Sequence, residues 1–202
     1  PPRFWEALYE PIIRHAAGLG KLDSEPDVDN YDQNFAFCDL LIIGGGPSGL
    51  FSALLAGRAG LDVILVDENP KFGGRLLFEN TIIDGNHCLD WIQSCLGELK
   101  SLKNVRLLSR ATVFGIYDQG TFGVLERISR HTHDSESDTV LDCFWRIVAS
   151  RSILASGAIE RHIAFGNNDR PGIMMAGAVR GYLNHFGAVS YTHLTLPTNR
   201  EV

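Results

Sequence analysis

Gly44, Gly46 and Gly49 stand in a G-x-G-x-x-G spacing, and Asp67 and Glu68 follow about 20 residues on. Those residue types in that order suit one task, holding a dinucleotide by its phosphates and its ribose. Gly44 permits a tight turn, Gly46 lets the backbone approach a pyrophosphate with no Cβ in the way, and Gly49 lets a following helix pack closely. The phosphates would then meet the free N–H groups and the positive end of the dipole of that helix. Pro47 suits its first turn, where a missing N–H has no intrahelical partner to lose, and Ser48 follows it. An acid hydrogen-bonds an adenosine ribose and disfavours a 2′-phosphate, so NAD or FAD is expected rather than NADP.

The elements that must position these residues are legible around them. An apolar run, Leu40-Leu41-Ile42-Ile43, leads into the glycines as a strand. Leu50, Phe51, Leu54 and Leu55 then make a helical stripe, Ala53 keeps the sheet-facing side small, and Gly60 is placed to end the helix. A second strand, Asp62-Val63-Ile64-Leu65-Val66, delivers the two acids. Next comes Asn69-Pro70-Lys71-Phe72-Gly73-Gly74-Arg75, where paired glycines let the backbone pass close to a bound dinucleotide. Arg75 either reaches a phosphate or is a solvent-exposed arginine, and the residues alone leave both open.

Residues 1–34 read as a connector, with a short helix from Phe4 to Ala17 that puts Phe4, Leu8, Ile12 and Ile13 on one face. The dinucleotide-binding domain is expected over 35–189. Leu89, Ile92, Leu96, Leu99 and Leu102 recur at helical spacing, so 88–103 reads as an amphipathic helix packed on a sheet, with Trp91 in its core. From Asn104 the period becomes two. Val105–Leu108, Ala111–Tyr117, Phe122–Ile128 and Val140–Val148 read as an inserted antiparallel β-meander over about 104–150. Ser152 to Ala158 reads as a further strand whose small terminal residues would approach a cofactor, and Ala176–Phe186 as a helix. The loop His131-Thr132-His133-Asp134-Ser135-Glu136 carries ligand-type side chains, but no third ligand is evident and no metal is expected. Residues from about 190 onward fit neither the preceding periodicity nor its composition, resemble translated adapter sequence, and are expected to be non-native. The start at Pro1-Pro2-Arg3, without Met, leads us to expect a missing N-terminus.

Bulk properties exclude some classes. A net charge of −6 with no Lys/Arg-rich run argues against a nucleic-acid partner. No apolar stretch approaches the length of a membrane span and no secretory signal is visible, so no membrane partner is expected and the expected location is cytoplasmic. Cys38, Cys88, Cys95 and Cys143 form no C-x-x-C pair and read as reduced core residues, which disfavours dithiol-relay chemistry.

Three stretches resemble the α subunit of heterotetrameric sarcosine oxidase. They are Leu8-Tyr9-Glu10-Pro11-Ile12-Ile13-Arg14-His15-Ala16-Ala17-Gly18-Leu19-Gly20, the run from Cys38 through Val66-Asp67-Glu68 to Gly73-Gly74-Arg75, and Asn168-Asp169-Arg170-Pro171-Gly172-Ile173-Met174 through Ala178-Val179-Arg180-Gly181-Tyr182-Leu183-Asn184. The second would fit many flavin or pyridine-nucleotide enzymes; the first and third are more specific. The resemblance implies an α/β, Rossmann-like FAD/NAD(P)-binding domain of the glutathione-reductase type. It implies non-covalent NAD held by Ser48, Asp67, Glu68, Asn69, Gly74 and Arg75 beside Gly44, Gly46 and Gly49, with Val113 as a further contact. It also implies β, γ and δ partner subunits, the β subunit carrying FAD and an interfacial FMN. Sarcosine would give glycine and hydrogen peroxide there, with the one-carbon unit passed to tetrahydrofolate.

The family's N-terminal ferredoxin-like and C-terminal folate-binding domains lie outside this sequence, so the 202-residue chain alone is expected to be inactive. No nucleophile–base pair or carboxylate dyad stands out and no catalytic residue is assigned; the hard chemistry belongs to cofactors. Two other readings stay open: a subunit of an FAD-dependent opine or amino-acid dehydrogenase, and a non-catalytic scaffold stabilised by its nucleotide.

Overall fold

The computed structural model describes residues 4–18, 29–130 and 139–188. The His131–Glu136 loop and the tail from about 190 lie outside them. Among the described residues, eight strands and four α-helices follow one another. A π-helical turn, Trp5–Tyr9, runs into α1 (Glu10–Ala16); then come β1 (Asn30–Ile43), α2 (Pro47–Arg58) and β2 (Val63–Val66). A 3-10 turn, Gly74–Phe78, precedes the small hairpin of β3 (Ile82–Ile83) and β4 (Asn86–His87) and then α3 (Cys88–Ser101). The chain continues as β5 (Val105–Leu108), β6 (Ala111–Tyr117), β7 (Thr121–Arg127), β8 (Val140–Leu154) and α4 (Ala176–Asn184).

Six strands form one sheet in the order β5-β2-β1-β8-β7-β6. β5, β2, β1 and β8 are parallel, and β7 and β6 add antiparallel pairs. The parallel part has the 3-2-1-4 order of a Rossmann-like half, with the reversal of strand order between β1 and β8. All four residues of β2 are buried, as a central parallel strand covered on both faces requires. Val63 and Leu65 pack with Leu50, Leu54, Ile92 and Leu99 of the helices. Ile64 and Val66 instead share a layer with Phe122, Val124 and Ile147. β2 and β7 stand three places apart in the sheet, so the sheet curls until its antiparallel wing covers the face that the helices leave bare.

Several expectations need correcting. β5 is the parallel edge strand beside β2, not part of the meander; period-two alternation does not distinguish parallel from antiparallel partners. The strands expected over 140–148 and from Ser152 are one strand, β8, which pairs along β1 from Asn30↔Val140 to Ile43↔Leu154. For the same reason β1 starts at Asn30, inside the expected connector, because β8 offers it a partner that far back. The helix expected over 4–17 starts as a π turn, and its apolar side chains Phe4, Leu8, Ile12 and Ile13 are exposed.

Candidate functional site

A cleft of about 790 Å³ opens at the C-terminal ends of β1, β2 and β8, at the reversal point where ligands of open α/β sheets bind. Its walls carry Gly44, Gly46, Ser48, Asp67, Glu68, Asn69, Gly74, Arg75 and Val113. Every candidate named from the sequence is there except Gly49, which lies beneath. The small residues Ala155 to Ala158, after β8, also line the cleft.

The glycine loop is shaped by close backbone approaches. Gly44 has φ +106°, and a Cβ there would run into the Ala155 carbonyl group. A Cβ on Gly49 would run into the Gly44 carbonyl oxygen, so this glycine brings α2 down onto its own strand. Gly46 differs: the nearest atom to a Cβ there would be Gly74 Cα at 4.0 Å. The absent side chain leaves room at the mouth of α2. Gly46 accepts the Leu50 N–H at 2.9 Å, which closes the first turn and leaves the Ser48 and Gly49 N–H groups at the helix's open end. Pro47 sits in that turn as expected. A cradle without a Cβ, facing free helix N–H groups, fits a diphosphate.

The two neighbouring acids have opposite surroundings. Asp67 is buried, and its Oδ2 accepts the Gly45 N–H at 2.6 Å while Oδ1 accepts the Asn69 N–H at 2.8 Å. Its carboxylate thus ties the glycine loop to the end of β2. Glu68 lines the cleft, is exposed, and has no hydrogen bond or ion pair among the described residues. The split arises just past the end of β2, where the backbone N–H groups of Gly45 and Asn69 converge on Asp67 while Glu68 is left exposed. Adjacent acids look equivalent in a sequence, yet only Glu68 presents a free carboxylate.

Arg75 is exposed at the cleft wall and donates from Nε to Glu79 Oε1 at 3.1 Å. Arg180 of α4 donates to the same oxygen at 2.7 Å. These two guanidiniums, Arg180 first, hold the Glu79 carboxyl below the usual carboxylate range. The sequence reading missed Glu79 and Arg180. They lie 101 residues apart, so no local pattern pairs them.

Among the described residues no group of three or more His, Cys, Asp or Glu is placed to hold a metal ion, and no helix is long and apolar enough to cross a membrane. All four cysteines are free and buried. Burial, reinforced by Asp39 and Asp62, pushes the Cys38 thiol up to about 11.

Residues 39–128 match the model of the FAD dependent oxidoreductase family. The chain is 52% identical over 187 residues to the sarcosine oxidase α subunit of Rhizobium meliloti (strain 1021), covering 93% of this chain and 19% of that protein. It is 39% identical to the α subunit of sarcosine oxidase from Corynebacterium sp. (strain U-96), over 92% of this chain and again 19% of that protein. An opine oxidase subunit from Agrobacterium tumefaciens (strain Ach5) is 30% identical over 161 residues, 76% of this chain and 30% of that protein. The chain thus spans about a fifth of the length of the sarcosine oxidase subunits it matches. Among solved structures, L-proline dehydrogenase from P. horikoshii superposes with a TM-score of 0.59 at 24% identity, over 82% of this chain and 31% of that one. That likeness is one of fold.

Proposed function

Starting from a chain that is homologous to sarcosine oxidase α subunits and carries an FAD-dependent oxidoreductase segment, we propose that it is the dinucleotide-binding part of an amine-oxidising complex. The bound group is NAD, held through its ADP half. Its diphosphate lies over Gly46 and the open end of α2, and its ribose hydroxyls donate to the Glu68 carboxylate. Asp67 holds the glycine loop for it, and Arg75 stands beside the diphosphate. Asn69, Gly74 and Val113 complete the walls. Catalysis belongs to partner subunits of the complete oligomer, with sarcosine as the amine and tetrahydrofolate as the one-carbon acceptor. NAD, when bound, would supply hydride-accepting chemistry; this chain's own residues bind and orient it.

The observation that carries the reading is a Glu68 carboxylate, unpaired among the described residues, in the same cleft as the Gly46 cradle. A second reading, FAD in the same cleft, is favoured by the description of the matched family. Denaturing the purified full-length protein and analysing what it releases separates the two. NAD without flavin from this chain is the expected result. Stoichiometric FAD would favour the second reading, and release of neither, with no binding of added dinucleotide, would overturn both.

A further inference from the structure

Arg75 is flanked by two carboxylates that could neutralise it, and α4 engages both. Glu79 Oε1 lies 3.1 Å from Arg75 Nε, but the Arg180 guanidinium reaches that oxygen at 2.7 Å. Glu160 Oε1 lies 3.9 Å from Arg75 Nη2, while its Oε2 accepts the Gly177 N–H in the first turn of α4 at 2.8 Å. One helix therefore brings a cation to the first acid and an N-terminal N–H to the second. It is fixed in place independently of these charges. Asn184 Nδ2 donates to the Phe78 carbonyl at 2.9 Å, the Phe78 and His185 rings lie 4.9 Å apart, and Gly181 is buried against Phe78. Phe78 ends the same 3-10 turn that begins with Gly74 and Arg75.

We infer that Arg180 is a positioning residue of the dinucleotide site: by taking up the charge of Glu79, it leaves the Arg75 guanidinium to the diphosphate. This rests on the dinucleotide reading above and deepens it, because it brings in a residue that does not line the cleft. With Arg180 removed, Glu79 would pair with Arg75 alone, so two cations sharing one carboxylate would become one of each. With Glu79 removed as well, there is nothing left for Arg180 to balance.

The test is calorimetric binding of ADP-ribose and of adenosine to the full-length protein at low salt. Arg180→Gln is expected to weaken ADP-ribose about three- to five-fold, as suits a half-exposed charge pair, and to leave adenosine unchanged. The loss should shrink at high salt. The double variant Glu79→Gln with Arg180→Gln is expected to return to near wild-type affinity, and Arg180→Lys to keep most of it. Equal losses for adenosine and ADP-ribose, or no rescue by the double variant, would show that α4 matters only for folding and would overturn the inference. Unchanged ADP-ribose affinity in Arg180→Gln would overturn it too. Failure of the wild-type protein to bind ADP-ribose would instead remove the underlying dinucleotide reading, and that result appears before any substitution is made.

Discussion

The two faces of the parallel sheet are covered in different ways. One carries α2 and α3, local segments whose buried side chains, such as Leu50, Leu54, Ile92 and Leu99, recur at helical spacing. The other carries no helix among the described residues; residues as distant as Ala36, Ile64, Phe122 and Ile147 meet there because β1 and β8 run on beyond the parallel region and the sheet curls. The helical layer is the sum of local patterns. The strand layer exists only once the long-range pairing of β1 with β8 has formed. The cleft lies at the seam, where the end of β1 meets the end of β8 at Gly44 and Ala155.

The sharpest way to break this comparison is at the seam. Gly44→Ala combines a left-handed backbone with a collision against the Ala155 carbonyl. Strain and overpacking together should cost about 4 kcal/mol, read as a lowered urea midpoint. A near-neutral result would mean that the strand ends are not tied there. Phe122→Ala empties the strand layer and Leu99→Ala the helical one; both side chains are buried. Losses of about 4 and about 3 kcal/mol are expected, respectively. Each should lower a single cooperative transition, because β1 and β8 serve both layers. Two separate transitions in circular dichroism would show that the layers fold independently.

Asp67→Asn should cost less, about 2 kcal/mol, by turning one of two carboxylate acceptors into a donor that faces a backbone N–H. Faster amide exchange at Gly45 and Asn69 would report it. The smallest expected effect concerns the thiols. Burial keeps Cys38 protonated, with its pKa raised to about 11, so alkylation at about pH 8 should label it only in the unfolded protein. Rapid native labelling would contradict that burial.

What could be read from the sequence follows the same division. The helix expected over 88–103 is found at Cys88–Ser101, and Pro47 and Gly60 sit at the ends expected of them, Gly60 with φ +82°. Most of the cleft residues were legible because they come from two short stretches of chain, 44–48 and 67–75. β8 was not legible as one strand, because Ser150, Arg151 and Ser152 interrupt its apolar pattern where it runs exposed. β1 was cut short because Asn30 to Asn34 are all exposed and give no alternation of burial to detect. β5 has the period of a strand in either orientation. The different roles of Asp67 and Glu68 depend on which way each side chain points, and the grip of Arg180 on Glu79 depends on how the chain returns to the 3-10 turn.

The dinucleotide reading is tested most directly at Glu68, the one acid in the cleft whose carboxylate is unpaired among the described residues. Binding of ADP-ribose to the full-length protein should weaken roughly ten-fold in Glu68→Gln, the size expected for a lost charge-assisted hydrogen bond, with the unfolding midpoint unchanged. Equal affinities for the wild-type protein and Glu68→Gln would contradict the account.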